Sequence, residues 1–156
     1  MASSGPERGV RLASGSILGL GFDLVEVSRI ERAVARWGEA FLTYVFTDRE
    51  VKDCGAGRGR FQRLAVRFCA KEAVFKALGR GRPALGWLDV EVVRMPSGRP
   101  EVVLGGKALE FARLHGVASV LVTLSHTQEL AAAQALCLAG ERPGDGRLGP
   151  SAAPGG

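Results

Sequence analysis

Aromatic residues are scarce in this 156-residue chain, at 6% of positions, and no stacking motif gathers them. That weighs against a surface that reads single-stranded nucleic acid by base stacking. Cysteine is equally sparse: Cys54, Cys69 and Cys137 are odd in number and far apart, with no Cys-x-x-Cys spacing. This argues against a disulfide framework and a zinc site. His115 and His126 are the only histidines, too few for a histidine-rich metal centre. Ser125 and His126 are neighbours on an expected strand and point to opposite faces, so they form no simple serine–base pair. Neither a Walker loop nor a Gly-x-Ser-x-Gly elbow occurs. No apolar run approaches the roughly 18 residues of a membrane span. The run from Ile17 is cut by Asp23 without a small-residue cleavage site behind it, and reads as a strand, not a secretory signal. These absences lead to the expectation of a cytoplasmic protein.

What is present is an ordinary globular composition, 46% hydrophobic and 24% charged, with 22 glycines concentrated at the ends and in loops. The length fits one domain that buries roughly two thirds of its unfolded surface. Residues 1–15 read as a mobile arm, 16–139 as the folded domain and 140–156 as a disordered Gly/Pro/Ala tail. Net charge is +5. Glu141 and Asp145 cancel Arg142 and Arg147 in the tail, so the excess sits on the body. A basic body suits nucleic acid, anionic lipid, phosphorylated small molecules or an acidic protein.

The nearly continuous apolar run from Ile17 to Val27 predicts a strand buried on both faces. Gly19 and Gly21 have no third partner for a dinucleotide fingerprint, because Leu24 stands in its place. Ser28 and Glu31 are spaced as a capping box and predict a helix over about 28–37. Arg29, Arg32 and Arg36 form a positive ridge along it, read by spacing alone as a solvated face. After Gly38 comes an apolar turn or short helix, and Thr47 and Glu50 form a second capping box that opens another short helix. A Gly/Arg loop over 55–60 leads into a long helix from about Phe61 to Leu78, ended by Gly79. A hairpin follows over 88–104, then a helix over about 107–115. Two antiparallel strands joined at Thr127-Gln128 complete the pattern.

Two carboxylates stand in apolar surroundings. On the long helix Phe61, Leu64, Ala65, Phe68 and Phe75 define one stripe, and Glu72 falls inside it, about 40° from Phe68. Lys76, one turn on, lies at the stripe's edge. Asp23 interrupts the first strand. Buried carboxylates cost several kcal/mol unless matched by a cation or metal. Glu72 and Lys76 are thus either a structural helix pair or part of a site, and Asp23 is either a strand-end residue or a ligand. Two carboxylates completed by water and a phosphorylated substrate are how proteins commonly hold Mg²⁺. Nearby arginines suit phosphate oxygens. The combination points to phosphoryl-group chemistry.

Three stretches carry a resemblance: Gly-Leu-Gly-Phe-Asp-Leu-Val-Glu-Val-Ser-Arg-Ile at 19–30, Arg-Phe-Cys-Ala-Lys-Glu-Ala-Val-Phe-Lys-Ala-Leu-Gly at 67–79, and Leu-Ser-His-Thr at 124–127. In order and spacing the chain from about Leu18 to Leu138 resembles the holo-acyl-carrier-protein synthases, the small 4′-phosphopantetheinyl transferases. The resemblance implies an α+β fold and, at this length, the single-domain branch, a homotrimer with active sites between subunits. It implies transfer of the phosphopantetheine arm of coenzyme A to a serine of an apo acyl carrier protein, of fatty-acid or polyketide type, releasing adenosine 3′,5′-bisphosphate. Asp23 and Glu72 match the Mg²⁺ ligands, and Lys76 the lysine near the transferred phosphate and leaving group. Arg67 and His126 match residues around coenzyme A, and Arg29 a position that docks the acidic carrier protein. Arg32 and Arg36 extend that ridge. The alternative, a non-enzymatic basic module that binds nucleic acid through the 58–67 arginines, explains the charge but leaves Asp23 and Glu72 without a use.

Overall fold

One long helix organises the chain in the computed structural model, which describes residues 16–81 and 84–140. The arm at 1–15 and all but the first residue of the tail lie outside the described residues. In chain order the elements are β1 (Ile17–Glu26), α1 (Val27–Trp37), α2 (Glu39–Val45), α3 (Asp48–Cys54), α4 (Arg60–Ala77), β2 (Val90–Arg94), β3 (Pro100–Leu104), α5 (Gly106–Leu114), β4 (Val117–His126) and β5 (Leu130–Ala139). The expected α+β pattern is therefore found. A single 3-10 turn at Trp87–Asp89 takes the place of the hairpin's first expected strand residues.

Gly59, with φ 81°, turns the chain into α4, and Gly79, with φ 68°, turns it out beyond the end. Between Leu64 and Ala77 the helix is buried on nearly every side. The single apolar stripe read from periodicity is too narrow. A three-stranded antiparallel sheet in the order β1-β5-β4 covers one side of α4, while α1, α3 and the β2–β3 hairpin cover the rest. As a result Glu72 is half-buried, not a core residue.

The helix-facing row of the sheet is built from small side chains. Ala131, Ala133, Ala135 and Cys137 of β5 are buried and pair with Val25, Asp23, Gly21 and Gly19 of β1. The expectation that β1 is buried on both faces is not met. Its other row, Leu20, Phe22 and Leu24, is more than half exposed, at 58%, 57% and 55%. Hydrophobicity alone does not distinguish a strand covered by its own chain from one whose cover must come from outside.

The Ser28 capping box also fails: α1 begins at Val27 with Glu26 at its N-cap and no side-chain cap bond. The tight β1–α1 junction places the N-cap two residues earlier than the box requires, which leaves Ser28 inside the first turn, and Ser28 Oγ instead donates to Glu26 Oε2 at 3.4 Å. The Thr47 box forms as expected: Thr47 Oγ1 accepts from Glu50 N (3.2 Å), and Glu50 Oε2 accepts from Thr47 N (2.9 Å).

Candidate functional site

The first group of site residues is assembled by backbone contact. A Cβ on Gly19 would run into the Ala77 carbonyl, and one on Gly21 into the Ala73 carbonyl. β1 therefore lies directly on the α4 backbone, as only glycine permits. Asp23, two residues further along the same row, meets α4 at Cys69 and Lys76. Lys76 Nζ donates to Asp23 Oδ1 and to the Phe22 carbonyl, both at 2.9 Å. The lysine expected to pair along its own helix thus reaches across to the strand. Glu72 lies one turn before Lys76 on the helix and is half-buried. The Asp23 side chain is 16% exposed and that of Lys76 51%, so the group opens to solvent at one edge.

Cys69 closes the inner end. Its Sγ donates to the Ala131 carbonyl at 3.2 Å. Burial, then the neighbouring Asp23 charge, pushes its thiol up to about 12. The thiol is neutral at physiological pH and takes no part as a nucleophile.

Arg67 and His126 meet elsewhere, in an open cleft of about 740 Å³ between the N-terminal half of α4, the β2–β3 hairpin and the end of β4. Arg63, Arg94 and Arg99 join them there, with Asp53 the one acid on its wall. Arg67 is only 7% exposed, and its Nε has no hydrogen-bond partner among the described residues. Its Nη1 donates to the Arg63 carbonyl at 3.3 Å, and its Nη2 stands 3.9 Å from Asp53 Oδ2. A buried guanidinium with spare donors at the wall of a cationic cleft is suited to phosphate oxygens. Asp23, Glu72 and Lys76 do not line this cleft.

Arg29, Arg32 and Arg36 line a third hollow, of about 480 Å³, floored by Trp37, Phe41 and Phe68. The Arg29 guanidinium lies 5.9 Å from the Phe68 ring centre and that of Arg36 5.1 Å from Trp37. Arginines stacked on aromatic faces are held outward, so the ridge is an apolar groove with a cationic rim.

One strong feature escaped the sequence reading. Lys71 and Glu50 are fully buried and form an ion pair of 2.7 Å. Lys71 Nζ also donates to the Trp87 carbonyl at 3.0 Å, and Glu50 Oε1 accepts from Val92 N at 2.8 Å. Burial holds the Lys71 ammonium below the usual lysine range, with the Glu50 charge opposing. The signal that was available is Glu50's place in the capping box and Lys71's place in an apolar turn.

With this geometry in view, residues 19–135 match the family described as the 4′-phosphopantetheinyl transferase superfamily. The chain belongs to that superfamily. The holo-[acyl-carrier-protein] synthase of Chloroflexus aurantiacus is 46% identical over 133 residues, covering 77% of this chain and 97% of the relative. Among solved structures, the holo-[acyl-carrier-protein] synthase of Neisseria meningitidis superposes with a TM-score of 0.72 at 28% identity, covering 78% of this chain and 98% of that one. The Helicobacter pylori synthase, solved in complex with coenzyme A, gives 0.67 at 27% identity, covering 77% and 99%.

Proposed function

We propose that this chain is a holo-acyl-carrier-protein synthase, an enzyme that moves the 4′-phosphopantetheine arm of coenzyme A onto a serine of an apo acyl carrier protein. The observation that carries the reading is the pairing of Asp23 on β1 with Lys76 of α4, one turn beyond Glu72, held by the close approach at Gly19 and Gly21. The serine hydroxyl releases its proton to solvent as its oxygen forms a new bond to the phosphorus that bears the pantetheine arm. The bond from that phosphorus to the bridging oxygen of the pyrophosphate breaks, and adenosine 3′,5′-bisphosphate leaves.

Asp23 and Glu72 fit Mg²⁺. Both are hard oxygen donors, they come from facing elements, and the protein supplies few enough ligands to leave positions for water and pyrophosphate. No cluster of three or more His, Cys, Asp or Glu is found among the described residues, which is consistent with a metal shared with its substrate. When bound, the ion would screen the pyrophosphate and the charge that develops on the leaving phosphate. Lys76, held 2.9 Å from Asp23, brings an ammonium to the transferred phosphate. The arginines of the large cleft and His126 bind the anionic nucleotide end of coenzyme A, and Arg67 donates from a buried, pre-oriented position. The Arg29, Arg32 and Arg36 rim receives the acidic carrier protein, where charge chiefly raises the rate of encounter.

The active unit is a homotrimer. Leu20, Phe22 and Leu24 form a bare apolar row on the outer face of the sheet, continued by Leu121 of β4, and such a patch marks an interface. The two phosphate-handling groups lie on separate parts of one chain, so a neighbouring copy that brings its cleft to Asp23 completes the site. Three buried free thiols suit the reducing cytoplasm, and no helix among the described residues is long and apolar enough to cross a membrane.

The test is incubation with coenzyme A, Mg²⁺ and apo carrier proteins of the fatty-acid and polyketide types, read by the carrier's mass. Addition of one phosphopantetheine is expected. No addition to any carrier, together with nucleic-acid binding that falls steeply with salt, would establish the basic-module alternative.

A further inference from the structure

We infer that Lys71 and Glu50 are positioning residues for the transfer reaction: their buried ion pair fixes the rotation of α4, and so the aim of Glu72 and Lys76 at Asp23. The inference rests on the transferase reading above.

Glu50, Arg67 and Lys71 are the buried charged residues among those described, and only Glu50 and Lys71 are sealed completely. Their connections span four elements. Glu50 caps the start of α3 through Thr47 N and holds β2 through Val92 N. Lys71 ties α4 to Glu50 and to the carbonyl of Trp87, just before β2. Thr47 Oγ1 extends the network to Glu91 Oε1 at 2.7 Å. Every bond is directional, unlike the apolar contacts around it, so the network fixes angle as well as distance.

The position on the helix explains why this bears on catalysis. At about 100° per residue, Lys71 lies about 100° from Glu72 and about 140° from Lys76. Ala73 and Ala77, which touch Gly21 and Gly19 of β1, lie further round on the strand's side. The helix is thus gripped from two sides, by a flat backbone contact at β1 and by the ion pair behind. The backbone contact sets how close α4 approaches β1 but resists sliding and rolling weakly. Rolling by about 10° moves a group some 6 Å from the axis by roughly 1 Å. A misplacement of that size costs on the order of 10²-fold in rate.

Buried pairs of this kind are often replaceable by apolar residues without loss of stability. That separates the two roles experimentally. Glu50→Gln is nearly isosteric and keeps an oxygen for the Val92 N–H, while Lys71→Met with Glu50→Gln removes both charges. Each variant is compared with wild type by thermal unfolding and by kcat and KM for coenzyme A at saturating Mg²⁺. Ala112→Gly, a change at a buried position of α5, serves as a stability control. Positioning requires that kcat fall by about ten-fold or more in both variants, and by a larger factor than KM for coenzyme A rises, since Arg67 rides on the same helix, while Ala112→Gly at a similar Tm keeps its kcat. If the double variant fails to fold, Glu50→Gln alone decides. A Glu50→Gln enzyme with kcat within two-fold of wild type, or an equal loss in Ala112→Gly, overturns the inference. A wild-type protein that transfers nothing refutes the transferase reading instead.

Discussion

Gly21→Ala is the sharpest single test of how the site is built. A Cβ at this position would stand 2.7 Å from Ala77 N and 2.8 Å from the Ala73 carbonyl carbon, with the carbonyl oxygen closer still. Neither partner is a side chain that can swing away: both atoms belong to the hydrogen-bonded backbone of α4. β1 must therefore retreat by about 1 Å, an overpacking cost of about 1–3 kcal/mol. Alanine's lower unfolded-state entropy returns about 0.5–1 kcal/mol. The net loss is up to about 2.5 kcal/mol, which in a chain of this size lowers Tm by up to roughly 5–10 °C. Because Asp23 is two residues along the same row, the retreat also draws its carboxylate from Lys76, and kcat should fall by ten-fold to about 10²-fold. The measurements are urea unfolding and carrier-protein loading by mass. Gly81→Ala is the control, since nothing among the described residues lies within 4 Å of a Cβ there. A Gly21→Ala protein as stable and as active as the control would refute the direct-contact account of the site.

Other outcomes follow from the same geometry. Glu72→Gln should keep the fold and reduce transfer by at least about 10²-fold, with chelation of Mg²⁺ giving a comparable loss in wild type; retained activity at ordinary Mg²⁺ would remove Glu72 from the site. Arg29→Glu should raise KM for the carrier protein about ten-fold and leave KM for coenzyme A unchanged, as steady-state titration of each substrate will show. Phe22→Asp, on the exposed row of β1, should turn a trimer into monomers by sedimentation and abolish transfer with Asp23 and Glu72 intact. Stability should also fall with pH above about 9. The Cys69 thiol is raised to about 12 and those of Cys54 and Cys137 are raised as well, so the unfolded chain loses protons first and is favoured by up to about 1.4 kcal/mol per thiol per pH unit. Cys69→Ala should flatten that slope in urea unfolding between pH 8.5 and 10.5.

Asp23 and Glu72 stand out in the sequence for one physical reason: a charge inside an apolar period interrupts a pattern that the chain itself supplies. Element order was legible on the same ground, from Gly38, Gly79 and the Thr47 capping box. Two features were not. Gly19 and Gly21 looked like half of a nucleotide loop, and their use becomes visible only when Ala73 and Ala77 are seen pressed against them. Glu50 and Lys71 are far apart in sequence and each has an ordinary local explanation, one as a helix-capping acid and the other as a helix lysine. Only packing reveals that both are sealed.

Leu20, Phe22 and Leu24 show a third kind of limit. They were read as core, and within one chain they are not covered. In the proposed trimer a neighbouring copy supplies that cover. The same assembly explains why Arg67 and His126 line a cleft that excludes Asp23 and Lys76. Coenzyme A carries its pyrophosphate and its nucleotide phosphate on one molecule, and in one chain Asp23 and Lys76 stand outside the cleft that Arg67 and His126 line. An uncovered apolar face and a divided anion site are separate observations, and a second copy placed against that face accounts for both.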